Sequence, residues 1–340
     1  MSSSEAEQAL RVGLIGAGQH GRYLAPLIKE AGNARLVAAA DVSEEARAKA
    51  LADCGFERVY ADYRQMLAAE TLDAAVIAPP HHLLHECCLA AIGAGLHVFV
   101  EKPMGVNARE AAEIHAAAGA AGVKLMVGYC LRFNAVRTGL KDLLAQGALG
   151  EVTAIVGGKG SRPWSNWLAD PKQGGGQMLF LGSHLIDQVL WLVRSPVESV
   201  YAEMTRRQET GVDETSAFTL RFANGVRAEL LVSQRAGVSY DFLDVIGSGG
   251  RARSEWPRML LDVHSWEEAA FKNPAAIRVL GDSHRPMYVA ELAEFVAAIH
   301  EDREPAVTGA DAVRTLAVID AVFASAQAGQ PVPVAAPAGA

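Results

Sequence analysis

Residues 11–21, RVGLIGAGQHG, limit the fold more than any other stretch of the chain. Val12, Leu14 and Ile15 read as a short buried strand, and Gly16, Gly18 and Gly21 follow at G-x-G-x-x-G spacing before an apolar-periodic segment over 23–31. The three glycines differ in what they allow. Gly16 permits the tight turn, Gly18 lets a pyrophosphate approach the backbone, and Gly21 lets helix and strand pack closely. The phosphates would rest on the free amides of the helix N-terminus, with Gln19 and His20 in that first turn. A second strand over 36–40 ends at Asp41, twenty residues beyond Gly21, where a carboxylate can accept hydrogen bonds from a ribose 2′-hydroxyl. That charge repels a 2′-phosphate and no arginine follows in Val42-Ser43, so NAD is expected in preference to NADP.

The first third alternates the two periodicities. Strands are expected over 12–15, 36–40, 74–78, 98–100 and 125–127, with helices over 23–31, 44–52, 64–69, 83–94 and 108–121. Continuous apolar strands separated by helices imply a parallel sheet covered on both faces, a doubly wound α/β domain that binds ligands at the carboxyl ends of its strands. Gly55, Gly95 and Gly122 stand where helices should stop. After residue 127 a helical pattern over 134–146 gives way to strand-like runs at 152–156, 197–205, 216–222, 227–233 and 242–246, with helices at 185–193, 288–300 and 310–326. Asn224-Gly225 marks a hairpin. The expected plan is a dinucleotide-binding domain over 1–129, an α+β domain with an open, mainly antiparallel sheet over 130–329, and a disordered Pro/Ala tail over 330–340.

The net charge of −8 argues against a nucleic-acid partner, whose phosphates demand a basic face. No polybasic run suggests a membrane surface, no apolar run is long enough to span a bilayer, and MSSSEAEQAL lacks the cationic start and apolar centre of a signal peptide. Four cysteines without C-x-x-C spacing fit a reduced, cytoplasmic protein. No metal is expected: His81 and His85 stand one helical turn apart, but nothing at suitable spacing completes a site. Pro79, Pro80 and His81, after the strand ending at 78, are instead expected to flank the cofactor.

Two further stretches carry chemistry. Glu101-Lys102-Pro103 closes the strand over 98–100 at its ligand edge, with a proline able to hold a cis bond. GGGQMLFLGSHLID, residues 174–187, opens a glycine run onto a helix bearing His184 and Asp187. Histidine is suited to proton transfer near neutral pH. Between them lie Lys159, Arg162, Trp164 and Trp167, which should border the cleft; Arg162 and the two tryptophans could clamp a ring or equally serve as dimer contacts.

The G-x-G-x-x-G turn with Asp41, the Glu-Lys-Pro tripeptide about eighty residues on, the segment Gly128-Tyr129-Cys130-Leu131-Arg132-Phe133 and the GGG…GSHLID helix together resemble the Gfo/Idh/MocA family, named for glucose-fructose oxidoreductase, inositol dehydrogenase and rhizopine catabolism. The resemblance covers residues 11–326. It implies a homodimer or homotetramer joined through sheet faces, a polyol or carbohydrate substrate, and hydride transfer from a secondary alcohol to NAD. It implies catalytic roles for Lys102 and His184, with Glu101, Lys102 and Arg132 also near the cofactor and Arg162, Trp167 and Phe180 near the substrate. Phe180 departs from the pattern, because the family places an aspartate there that holds the substrate. The alternative reading is an NAD-binding protein that is not a dehydrogenase: a transient redox cycle of glycosidase type, or a silent NAD-dependent sensor.

Overall fold

The computed structural model describes residues 9–278 and 284–335, which separate into two units. Of the described residues, the first holds 9–129 together with Tyr288–Val313; the second holds 130–278, 284–287 and 314–335. The return of residues 288–313 to the first unit departs from the expected contiguous second domain. Its reason is local. The Val127 amide donates to the Val307 carbonyl at 3.1 Å, and Phe295 packs edge-on to Phe99 with ring centroids 5.8 Å apart.

The first unit is built on β1 (Leu10–Ile15), β2 (Ala34–Ala40), β3 (Arg58–Tyr60), β4 (Ala74–Ile77), β5 (His97–Glu101) and β6 (Leu125–Gly128), all parallel, in the order β3-β2-β1-β4-β5-β6. The strands are near-continuous apolar runs because helices cover both faces. These helices are α1 (Gln19–Ala31), α2 (Glu44–Lys49), α3 (Tyr63–Ala69), α4 (Leu84–Gly93) and α5 (Ala108–Ala121). Side chains cap several of them: Ser43 accepts from the Ala46 amide, Asp62 from Arg64 and Asn107 from Glu110. Strand order reverses at β1, whose neighbours β2 and β4 leave in opposite directions and open a crevice at their carboxyl ends.

Among its described residues the second unit carries α6 (Ala135–Ala145), α7 (Ser183–Val193), most of a helix over Gly309–Ala328, and nine strands: β7 (Val152–Gly160), β8 (Val197–Arg206), β9 (Asp213–Phe222), β10 (Arg227–Ser233), β11 (Tyr240–Gly247), β12 (Gly250–Trp256), β13 (Leu260–Ser265), β14 (Ala275–Arg278) and β15 (Val332–Pro333). Their order is β14-β13-β12-β11-β7-β10-β9-β8-β15, antiparallel except for β7 beside β10. Helix α7 lies against one face. At Gly157 an added Cβ would stand 2.8 Å from Leu243, 2.9 Å from Leu230 and 3.3 Å from Leu185 of α7, so the missing side chain is what lets helix and strands close up. The tail departs from expectation: Val332 and Pro333 pair with Val200 and Ser199 as an edge strand, and only residues 336–340 of the expected disordered segment lie outside the described residues.

Candidate active site

In the first unit the glycine turn is bound to the switch point. The Gly16 amide donates to Ala40 O, and Ala78 N donates to Ile15 O. Gly16 has φ of 91°, and a Cβ there would strike Pro79 N at 2.6 Å, so the turn and the Pro79-Pro80 segment touch backbone to backbone. A Cβ on Gly21 would stand 2.0 Å from Gly16 O, whereas one on Gly18 would meet nothing within 4 Å. Gly16 and Gly21 are therefore packing glycines, and Gly18 borders open space in front of α1. Gln19 and His20 begin that helix, exposed. Asp41 closes β2 and accepts from the Ser43 amide at 2.8 Å. Arg47, one helical turn beyond Ser43, reaches back to the carbonyls of Asp41 and Val42 at 2.8 and 3.0 Å. His81, buried, starts the short turn that leads into α4.

The Glu-Lys-Pro tripeptide lies at the carboxyl end of β5, with the Lys102–Pro103 bond cis. Glu101 and Lys102 are both buried, at 7% and 8% exposure. Glu101 pairs across the strands with Gly128, and a Cβ at Gly128 would stand 3.1 Å from its carboxylate oxygen. That oxygen meets His20 Nε2 at 2.8 Å, and the His20 ring in turn packs on Tyr23 and edge-on to Tyr288. So Glu101 ties the strand end carrying Lys102 to the first turn of α1.

In the second unit the glycine run leads through a wide turn, Met178–Gly182, into α7. Phe180 sits in that turn with Trp164 edge-on, ring centroids 5.3 Å apart. His184 follows one turn later, half-buried, its carbonyl accepting from Gln188 at 3.0 Å. Asp187, fully buried, receives a two-pronged bond from Arg132, Nε to Oδ2 at 3.0 Å and Nη2 to Oδ1 at 2.6 Å. Arg132 thus braces α7. Arg162 is exposed and donates to Gly237 O at 3.1 Å, and half-buried Trp167 opens a short turn capped by Asn166. Among the described residues no three His, Cys, Asp or Glu side chains gather as a metal site.

Several buried polar groups here carry no motif. Asp213 accepts from the Met178 amide at 2.7 Å, and burial pushes its carboxyl up to about 6. Lys159 and Arg137 converge on Asp241, with Lys159 Nζ 2.5 Å from Oδ2. Gln177 and Gln234 are also buried. Their only sequence signal is polarity within strand-like or helix-opening stretches, which spacing alone does not separate from surface.

The oxidoreductase-family model for an NAD-binding Rossmann fold matches residues 10–129, and the GFO/IDH/MocA C-terminal domain model matches residues 138–253. The chain belongs to the Gfo/Idh/MocA family of oxidoreductases. Among its relatives, myo-inositol 2-dehydrogenase of Thermotoga maritima is 26% identical over 310 residues, covering 89% of this chain and 92% of that one. The trans-1,2-dihydrobenzene-1,2-diol dehydrogenase of Bos taurus is 30% identical over 251 residues, 72% of this chain and 74% of that one. The fold matches that of levoglucosan dehydrogenase in complex with NADH and levoglucosan, with a TM-score of 0.90 at 22% identity over 97% of this chain and 100% of that one. As a Gfo/Idh/MocA protein the chain is an NAD-binding oxidoreductase, and its own residues fit the dinucleotide. Gly18 leaves room for the pyrophosphate, the α1 N-terminus presents its amides, and Asp41 presents a carboxylate where the ribose hydroxyls would lie. No helix among the described residues is long and apolar enough to cross a membrane.

Proposed function

We propose that this chain oxidises a secondary alcohol of a sugar, inositol or cyclic diol, with Lys102 and His184 as its catalytic residues. The observation that carries the reading is Lys102, a lysine kept buried at the ligand edge of a dinucleotide-binding sheet instead of extended into water. When bound, NAD supplies the hydride acceptor. His184 takes the hydroxyl proton as the carbon gives up hydride, and the Lys102 ammonium steadies the negative charge gathering on that oxygen. Glu101, fastened to His20, holds the strand end in place. Arg132 keeps the turn carrying His184 in position through Asp187 rather than touching cofactor directly. Trp164 and Phe180 present aromatic surface to the ring of the substrate, with Arg162 and Trp167 on the loop beside them. The working form is a homo-oligomer, and its substrate is a small molecule.

The test is NADH formation across aldoses, glycosides, inositols and cyclic diols by wild type, Lys102→Ala and His184→Ala. Wild-type turnover reduced by about a hundredfold or more in each variant, the range for loss of an acid–base group, supports the assignment. Tight NAD binding with no turnover on any substrate would instead favour the sensor or the transient redox cycle.

A further inference from the structure

The inner face of the second sheet, where α7 crosses it, carries an unbalanced buried charge. In the row that joins adjacent strands, Asp241 of β11 pairs with Lys159 of β7, Lys159 with Val232 of β10, and Val232 with Ser216 of β9. Asp241 is one carboxylate between two cations, Arg137 and Lys159, all three at most 7% exposed. Arg137 also donates from Nη1 to Ser254, while its Nε has no partner among the described residues. Lys159 is not so well served: one N–H meets Asp241, the Trp256 ring lies 5.7 Å away without a lone pair, and no other acceptor stands within reach among the described residues. A buried ammonium with idle donors and a surplus positive charge is costly unless something completes it.

The neighbouring groups are unfinished in a matching way. Gln234, at 1% exposure, is the next residue on this face beyond Val232, and neither of its amide atoms has a hydrogen-bond partner among the described residues. Gln177, fully buried, reaches Ser216 Oγ only at 3.5 Å, and its carbonyl oxygen has no partner. With strands about 4.8 Å apart, these groups fall within a patch about 10 Å across. The adjoining row repeats the charge excess, since Glu214 is held by both Arg207 and Arg235. Asp213, a carboxyl beside Gln177, is engaged by the Met178 amide at 2.7 Å. One turn before His184 stands Phe180 and not a carboxylate, so nothing there opposes an anion. This positive, under-bonded patch belongs to a chain whose net charge is −8.

We infer that the substrate carries a carboxylate beside its secondary alcohol, as in a sugar acid or a carboxylated cyclic polyol, and that Lys159 receives it with the amides of Gln234 and Gln177. This rests on the dehydrogenase reading above. Lys159 is then a specificity residue: it touches the charged end of the substrate and takes no part in proton transfer. Loss of Lys159 leaves Arg137 and Asp241 as a balanced pair, which makes Lys159→Met a usable probe.

The experiment compares D-glucuronate with D-glucose, and quinate with myo-inositol, in the full-length enzyme with NAD. Wild type is expected to favour a carboxylated member by about tenfold or more in kcat/KM, and Lys159→Met to reduce that preference by a similar factor, the usual weight of a hydrogen bond to a charged group. Gln234→Leu should raise KM for the acid more than it lowers kcat. A second readout needs no turnover: with NADH bound, the acid raises the Tm of wild type but not of Lys159→Met. Preference of wild type for the neutral members, or an unchanged preference in Lys159→Met, overturns the inference while leaving the dehydrogenase assignment standing. A Lys159-dependent rise in Tm without turnover on any substrate supports the carboxylate site and removes the dehydrogenase reading.

Discussion

Asp213 shows how one buried group sets a pH dependence. Its carboxyl accepts the Met178 amide and lies so close to Gly176 that a Cβ there would stand 2.1 Å from Oδ1, at a glycine with φ of 108°. No ion pair offsets its burial among the described residues, and its pKa rises to about 6 from an ordinary value of 3.8. The folded chain therefore holds this proton more tightly than the unfolded chain. The resulting stability is fully present below about pH 4 and is lost as pH rises through about 6, a swing of up to about 3 kcal/mol. Asp213→Asn keeps an acceptor for Met178 and removes the titration. The variant should match wild type at pH 4 and melt several degrees higher at pH 7. A Tm difference that does not change with pH would remove Asp213 as the titrating group.

At the scale of elements, the glycine turn separates two roles that the motif spacing merges. A Cβ at Gly21 collides with the Gly16 carbonyl, backbone against backbone, so no rotamer change can relieve it and α1 must move off β1. At Gly18 a Cβ enters open space. Gly21→Ala should thus lower Tm and NAD affinity together, while Gly18→Ala should keep the wild-type Tm and lose about tenfold or more in NAD Kd, measured by titration calorimetry. Equal Tm losses in both would refute the distinction. Five of the six nucleotide-binding strands were legible in the sequence because each is a largely apolar run; β3, Arg58–Tyr60, was not, because a lone valine between arginine and tyrosine makes no such run. Strand β7 was legible only to residue 156, yet it runs to Gly160. Its last residues include three glycines, which give no apolar signal, and the space is filled by neighbours: a Cβ at Gly160 would stand 2.2 Å from the Tyr240 ring. The missed length is what places Lys159 inside the sheet. Strand β12 escaped for a related reason: its inward positions hold Ala252 and Ser254, small residues that give little apolar signal between the outward Arg251, Arg253 and Glu255. Lys102 and His184 were findable because each belongs to a motif; Gln177, Gln234 and Asp213 gain meaning only from strand register.

At the largest scale, the nine-stranded sheet of the second unit keeps large apolar side chains exposed on one face. Val156 of β7, Tyr201 of β8, Leu231 of β10 and Ile246 of β11 are 38–42% exposed on the side opposite α7. Such side chains scattered singly need no explanation, but these lie on one face of one sheet, where Val156 stands between Asp244 and Glu229 in its row. Polar pairs stand among them: Thr219 donates to Glu229 at 2.9 Å, Tyr201 to Glu203 at 2.9 Å, and Arg253 lies 4.3 Å from the Phe242 ring. A mixed apolar and hydrogen-bonded face on a broad sheet suits a two-fold partner, because the same patch can meet itself. The expected state is a homodimer, read by light scattering on a sizing column as twice the chain mass at micromolar concentration. Leu231→Glu with Val156→Glu places two like charges at the centre of that face and again across the two-fold, which should release monomers. Because the glycine turn and Asp41 belong to the other unit's own sheet, NAD affinity should survive dissociation. A wild-type monomer, or a dimer indifferent to both glutamates, would refute this face as the interface.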